Sequence, residues 1–172
     1  MKDTQTVKLL KVSSKDLIGG VIRKGLLEEM PSIQTGWYFN FNKHIRLPNS
    51  QTYVLVTDET PEIIEGCLVF QMQDKIVPYL AYVEIASHNK SKLKRYDYVA
   101  GCLIAHACKL SFDYGKGSHQ GFLTFDVKEK NEADKIKLMG LYSTKYKAFR
   151  IDETTMLITP KNGRSLIQLY LE

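Results

Sequence analysis

Glu84 interrupts an apolar run, YLAYVEIAS over residues 79–87, that reads as a strand hydrophobic enough to be central. A carboxylate between Val83 and Ile85 must find a cation, reach water in a cleft, or keep its proton. In a cleft that raises its proton affinity it is a candidate general base toward an amine; paired with a nearby lysine, or on a wet sheet face, it is structural. The residues alone leave both readings open. Just downstream, Lys90, Lys92, Lys94 and Arg95 form a cationic loop. A helix expected over 98–114 follows, with small residues Ala100 and Gly101 near its start. Free backbone N–H groups, the positive end of the helix dipole and neighbouring cations together favour a phosphorylated ligand, the alternative being a solvated charge run.

The elements that must position these groups can be read along the chain. Residues 5–12 alternate well enough for a first strand. Ser13 and Ser14 then offer an N-cap to a helix over 15–30, ended by Pro31, with Leu17, Ile18, Val21, Ile22, Leu26 and Met30 at helical spacing. Strands are expected over 37–45, 52–57 and 63–72, the last two joined by a turn at 58–61. The strand over 76–86 should pair antiparallel with the one before it, with Leu80, Tyr82, Glu84 and Ala86 on one face and Ala81, Val83, Ile85 and Ser87 on the other. After the helix at 98–114, GKGSHQG turns into a strand over 121–127, which the helical crossover makes parallel to its predecessor. A helix capped by Asn131 and ending near Lys145, a strand over 148–159 and a short helix or strand over 163–171 complete the chain. This order implies a fold of the α/β (α+β) class, with a mixed, mostly antiparallel central sheet flanked by helices, in one domain covering residues 1–172.

Composition narrows the function classes. The 24 basic and 19 acidic side chains leave a formal charge of +5, which favours anionic ligands but is modest for a nucleic-acid binder. No apolar run approaches the ~18 residues of a membrane span, and charges break the N-terminal stretch where a signal peptide needs an apolar core, so a cytoplasmic protein is expected. Cys67, Cys102 and Cys108 form no CxxC pair and sit among apolar neighbours, as buried thiols do. His44, His88 and His119 lack metal-ligand spacing, and His106 reads as a packed core histidine.

The helix start, Arg95-Tyr96-Asp97-Tyr98-Val99-Ala100-Gly101, resembles the Arg/Gln-x-x-Gly-x-Gly/Ala signature of the GNAT acyl-CoA N-acyltransferase superfamily, with Tyr98 where the family has its first glycine. The resemblance extends over roughly residues 50–159: VEIAS precedes the signature, AGCLIAHACKLS follows it, GFLTFDV resembles the next strand, and LYSTKYKAF the family's tyrosine-bearing helix end. It implies that Arg95, Tyr96, Tyr98, Val99, Ala100 and Gly101 hold the coenzyme A pyrophosphate, and that backbone groups around Val83 and Ile85 contact the pantetheine and the thioester oxygen. Glu84 becomes the candidate base and Tyr142 the acid that protonates the departing thiolate. Lys135 stands where many members carry an asparagine.

The resemblance therefore implies direct acetyl transfer from acetyl-CoA, without a metal, to an unidentified amine, with room for a homodimer. Two other readings compete with it: a GNAT-fold module that binds acyl-CoA or a partner without turnover, and a small basic nucleic-acid-binding domain using Lys90 to Arg95 beside Tyr96 and Tyr98.

Overall fold

Strands β3 (Ser50–Thr57), β4 (Gly66–Gln73) and β5 (Val77–Ile85) form the middle of the sheet, and their near-continuous apolar character follows from having both faces covered. The computed structural model describes residues 4–172; residues 1–3, part of the charge-broken stretch at the N-terminus, lie outside the described residues. Strands β1 (Gln5–Lys11) and β2 (Asp16–Lys24) precede the central three, with a short helix α1 (Phe41–His44) between β2 and β3. Beyond β5 come β6 (Tyr96–Asp97), α2 (Val99–Tyr114), β7 (Leu123–Asp126), α3 (Glu132–Tyr146), β8 (Phe149–Arg150), β9 (Thr155–Ile158) and α4 (Pro160–Leu171). Among the described residues the strands make one sheet in the order β6-β1-β2-β3-β4-β5-β7-β9-β8. Neighbours are antiparallel except β5 and β7, which the α2 crossover makes parallel. The expected mixed, mostly antiparallel sheet with flanking helices is the one observed.

Three local expectations are corrected. Residues 16–24 are strand β2, not helix: the apolar residues that fit a helical repeat also alternate as a strand, and pairing to β1 on one side and β3 on the other decides the matter. Gly20 belongs to that strand because a Cβ there would come 2.8 Å from the Val56 carbonyl oxygen. The aromatic segment 37–45 is a loop and helix α1 rather than a strand. Its rings pack edge to face, Trp37 on Phe41 at 6.1 Å and Phe39 on Tyr82 at 5.0 Å between centroids, and that cluster replaces a strand ladder. The expected strand at 148–159 is divided into β8 and β9 by a turn in which Asp152 accepts from the amides of Thr154 and Thr155. The open choice for the last segment resolves as helix α4, capped by Thr159 with Pro160 in its first turn.

The β4–β5 ladder contains one irregularity. Phe70 pairs with Leu80 and Val69 with Tyr82, so Ala81 is an extra residue, a β-bulge. The simple alternation expected for β5 therefore fails at Ala81. Leu80, Val83 and Ile85 pack toward α2, whereas Tyr79, Ala81 and Tyr82 pack toward the aromatic loop.

Candidate active site

Strands β5 and β7 are paired only at Tyr79 with Thr124 and separate beyond it. The edge of β5 that faces β7 therefore carries backbone groups with no strand partner past that point. A cavity of about 370 Å³ fills the opening and passes from one face of the sheet to the other. On the α2 side its walls are Ala100, Ile104, Leu138, Tyr142 and Tyr146; on the other side they are Tyr38, Phe39, Tyr82, Glu84 and Lys90. Such a passage admits a donor from one face and an acceptor from the other.

Glu84 is buried on the aromatic side. Its carboxylate accepts from the backbone N–H of Tyr38 (2.8 and 3.0 Å) and Phe39 (3.0 Å), and from the Lys90 ammonium at 3.0 Å. A carboxylate has about four lone-pair sites, and these donors occupy most of them. The loop 38–39 is thus fastened to β5 by the Glu84 carboxylate as well as by Phe39 on Tyr82.

Tyr142, on α3, is packed against Phe125 at 5.1 Å between ring centres. Its hydroxyl makes no hydrogen bond with the described residues, and burial raises its pKa, so it carries a proton at neutral pH. Tyr146 one turn later is raised further by burial, with Tyr170 adding to the effect.

At the α2 start the structure answers what becomes of the missing glycine. Tyr98 adopts the left-handed conformation, φ 78° and ψ 1°, so a tyrosine takes the backbone geometry that glycine adopts without cost. Asp97 accepts from the Tyr98 amide at 2.8 Å and lies 3.5 Å from the Lys94 ammonium. Since the first α2 hydrogen bond runs from Cys102 N–H to the Tyr98 carbonyl, the amides of Val99, Ala100 and Gly101 have no partner within the helix. They border a hollow of about 70 Å³ with Ile85, Tyr96 and Tyr98, to which Lys145 adds positive charge and the Lys94–Asp97 pair one charge of each sign. Gly101 packs closely on α4: a Cβ there would lie 2.3 Å from the Tyr170 ring, which would have to move aside.

The structure thus brings Val83, Glu84, Ile85, Ala100 and Tyr142 to the cleft, and Tyr96, Tyr98, Val99 and Gly101 to the adjoining hollow. Arg95 is exposed and lines a separate shallow groove with Lys11 and Glu59. Sequence reasoning missed several groups. Buried Asn89 accepts from the Tyr96 amide at 3.0 Å and donates to Glu65 at 2.9 Å, tying the cationic loop to the fully buried end of β4's lead-in. His44 stacks on Tyr82, rings 3.7 Å apart and 7° from parallel, in a groove continuous with the cleft. Burial, with Lys128 and Lys43 nearby, lowers its pKa, so it is a neutral imidazole at neutral pH. Distance in sequence from the cleft strand concealed His44, whereas Asn89 lies four residues beyond β5 and only its pairing to Glu65 marks it out.

No protein-family model matches the chain, and no curated protein matches it. Solved structures do. A tyrosine-to-phenylalanine mutant of KacT superposes with a TM-score of 0.54 at 14% identity, over 87% of this chain and 98% of that one. AtaTR bound with acetyl-CoA gives 0.52 at 13% identity over 97% and 99%. A mutant of the spermidine N-acetyltransferase SpeG from Vibrio cholerae gives 0.52 at 14% over 85% and 98%. The chain has the GNAT acetyltransferase fold. Among the described residues, no helix is long and apolar enough to cross a membrane.

Proposed function

We propose that this protein is an acyl-CoA-dependent N-acyltransferase that moves an acetyl group from acetyl-CoA directly to an amine. The observation that carries the reading is the parting of β5 and β7, which opens a passage through the sheet beside a helix start with unpaired amides. The cradle suits the cosubstrate: amides of Val99, Ala100 and Gly101, with Lys145, face the pyrophosphate, while Lys94 is paired with Asp97 and Arg95 lies in the separate groove, and backbone groups near Val83 and Ile85 take the pantetheine. Tyr96 and Tyr98 set the backbone of that cradle. When bound, acetyl-CoA supplies an activated acyl carbon and a thiolate leaving group.

The chain's own groups supply the proton transfers. Tyr142 holds a proton for the leaving sulfur. The proton of the incoming ammonium has two takers in the groove, Glu84 and His44. Glu84 is largely occupied by Tyr38, Phe39 and Lys90, which favours His44 as the acceptor and Glu84 as the residue that holds the loop over the acceptor. The neighbouring fold SpeG is named for an amine acceptor, spermidine, and an amine of unidentified structure is the partner proposed here.

Two of the four loop cations, Lys90 and Lys94, are paired internally, which argues against a nucleic-acid surface. The reading is of one domain acting in the cytoplasm, the compartment that supplies acyl-CoA thioesters, alone or as a homodimer.

Calorimetry with acetyl-CoA tests the cradle, and thiol release in the presence of a panel of primary amines tests transfer. Tyr142→Phe should lower thiol release by about a hundredfold while binding stays within about twofold. Absence of acetyl-CoA binding removes the reading, and equal loss of binding and turnover in Tyr142→Phe makes that tyrosine structural.

A further inference from the structure

Lys128 follows β7 at the point where that strand leaves β5. Its Nζ donates to the Ala81 carbonyl at 2.5 Å, lies 3.4 Å from the Tyr79 hydroxyl, and sits 4.6 Å and 5.4 Å from the ring centres of Tyr82 and Tyr79. Ala81 is the bulge residue, so the lysine amine spans the opening between the two strands. It also lines the cavity that contains Tyr142. The residue as a whole is exposed, like Lys92 and Lys130, but its ammonium is turned inward onto the Ala81 carbonyl.

The nearest acid does not neutralise it by a direct bond. Asp126 directs its oxygens to the Tyr79 hydroxyl and to the hydroxyls of Thr154 and Thr155. Burial favours the uncharged amine and outweighs the attraction of Asp126, so the Lys128 pKa is lowered. The free amine is the form that attacks a thioester, and a lowered pKa raises the share of Lys128 in that form within the passage where the proposed reaction needs one.

We propose that Lys128 is an internal acyl acceptor, its Nζ taking one acyl group from a thioester held in the cleft. This rests on the acyl-CoA reading of that cleft. The nitrogen lone pair attacks the carbonyl carbon, a C–N bond forms, the C–S bond breaks, and its electron pair leaves on sulfur. One proton passes from nitrogen to sulfur through solvent or Tyr142, leaving an amide and a free thiol. An amide does not hand the acyl group on, so the product is an end state that lodges in the passage and limits further turnover.

The test uses the full-length protein incubated with acetyl-CoA, sampled over time by intact mass and peptide mapping, with calorimetry on the same preparation. One acyl group per chain should appear on Lys128, at least about tenfold faster than on the exposed Lys92 and Lys130, because the site holds amine and thioester together. Excess coenzyme A should suppress it. Lys128→Arg should still bind acetyl-CoA and lose the fast single-site modification. Binding with acylation no faster at Lys128 than at Lys92 and Lys130 overturns the inference and leaves the cleft reading standing. Fast acylation of Lys128 that persists in the urea-unfolded chain also overturns it, and absence of acetyl-CoA binding overturns both.

Discussion

The two faces of the sheet meet at one cleft but are held together by different forces. On the α2 face a single large apolar cluster joins α2, α3 and α4 to the strands, and nine of the sixteen α2 residues contribute. On the other face a smaller cluster is closed by the aromatic loop, and what fixes the loop at the cleft is the carboxylate of Glu84. A packed face cannot easily change shape, whereas a loop fastened at one polar point can be altered without disturbing the core. The α2 face is therefore the rigid part of this design and the aromatic-loop face the adjustable one.

The largest effect that tests this contrast comes from Glu84→Ala. It leaves two backbone amides without an acceptor and an ammonium without its partner, and denaturant unfolding should show a loss of about 3 kcal/mol. Acetyl-CoA affinity should move by less than about threefold, since the cradle lies on the other face. A parallel collapse of both quantities would mean that the two faces are one unit.

The α2 face has its own weak point in His106, which is buried with neither ring nitrogen hydrogen-bonded and lies edge to face with Tyr53 at 4.6 Å. Burial, with smaller contributions from Lys109 and Lys24, lowers its pKa to about 4 from 6.5. Between those values the unfolded chain binds the proton and the folded one does not. The contribution is thus fully present above pH 6.5 and is lost as pH falls through 4, amounting to about 3 kcal/mol. Unfolding of His106→Leu against the parent across pH 4 to 7 should remove that part of the acid sensitivity; equal slopes for the two proteins would contradict it.

Smaller effects probe the join between cradle and scaffold. Tyr98→Val places a β-branched residue at φ 78° and should cost about 2 kcal/mol, while Tyr98→Gly relieves the backbone, offsets the lost contact with Tyr170, and should leave the melting temperature nearly unchanged. Equal losses for the two variants would mean that side-chain packing, not backbone geometry, matters there. The smallest change is expected for Lys90→Met: the lysine side chain is 45% exposed, so about 0.5 kcal/mol should be lost by denaturant titration. A loss comparable to that of Glu84→Ala would shift the fastening of the loop from its backbone amides to Lys90.

The central strands, α2, β7 and the Asn131-capped α3 were legible because each carries its signal within a few residues: β-branched runs, a small-residue helix, a capping side chain followed by acids. Residues 16–24 were not, since Leu17, Ile18, Val21 and Ile22 satisfy two periodicities and only the partners β1 and β3 choose between them. The aromatic segment misled for the opposite reason: its strand propensity is real, but ring packing on Tyr82 and the pull of Glu84 on the 38–39 amides determine its path. At the cleft, Glu84 and Tyr142 could be singled out from local pattern and resemblance. His44 and Lys128 converge on Tyr82 from about forty residues either side of it, a convergence that no window along the chain displays.

Ala81 gives β5 one residue more than the strand it pairs with, and everything after it is out of phase with what precedes it. Replacing Ala81 by another small residue preserves that phase. Removing it abolishes the bulge: Tyr82 would follow Leu80 directly, Val83, Glu84 and Ile85 would keep their faces in an unbroken alternation, and the carbonyl that Lys128 holds would be gone. A three-base deletion at this position would thus leave the core side chains of β5 on their faces and alter the opening beside β7, although the residue carries no chemistry of its own.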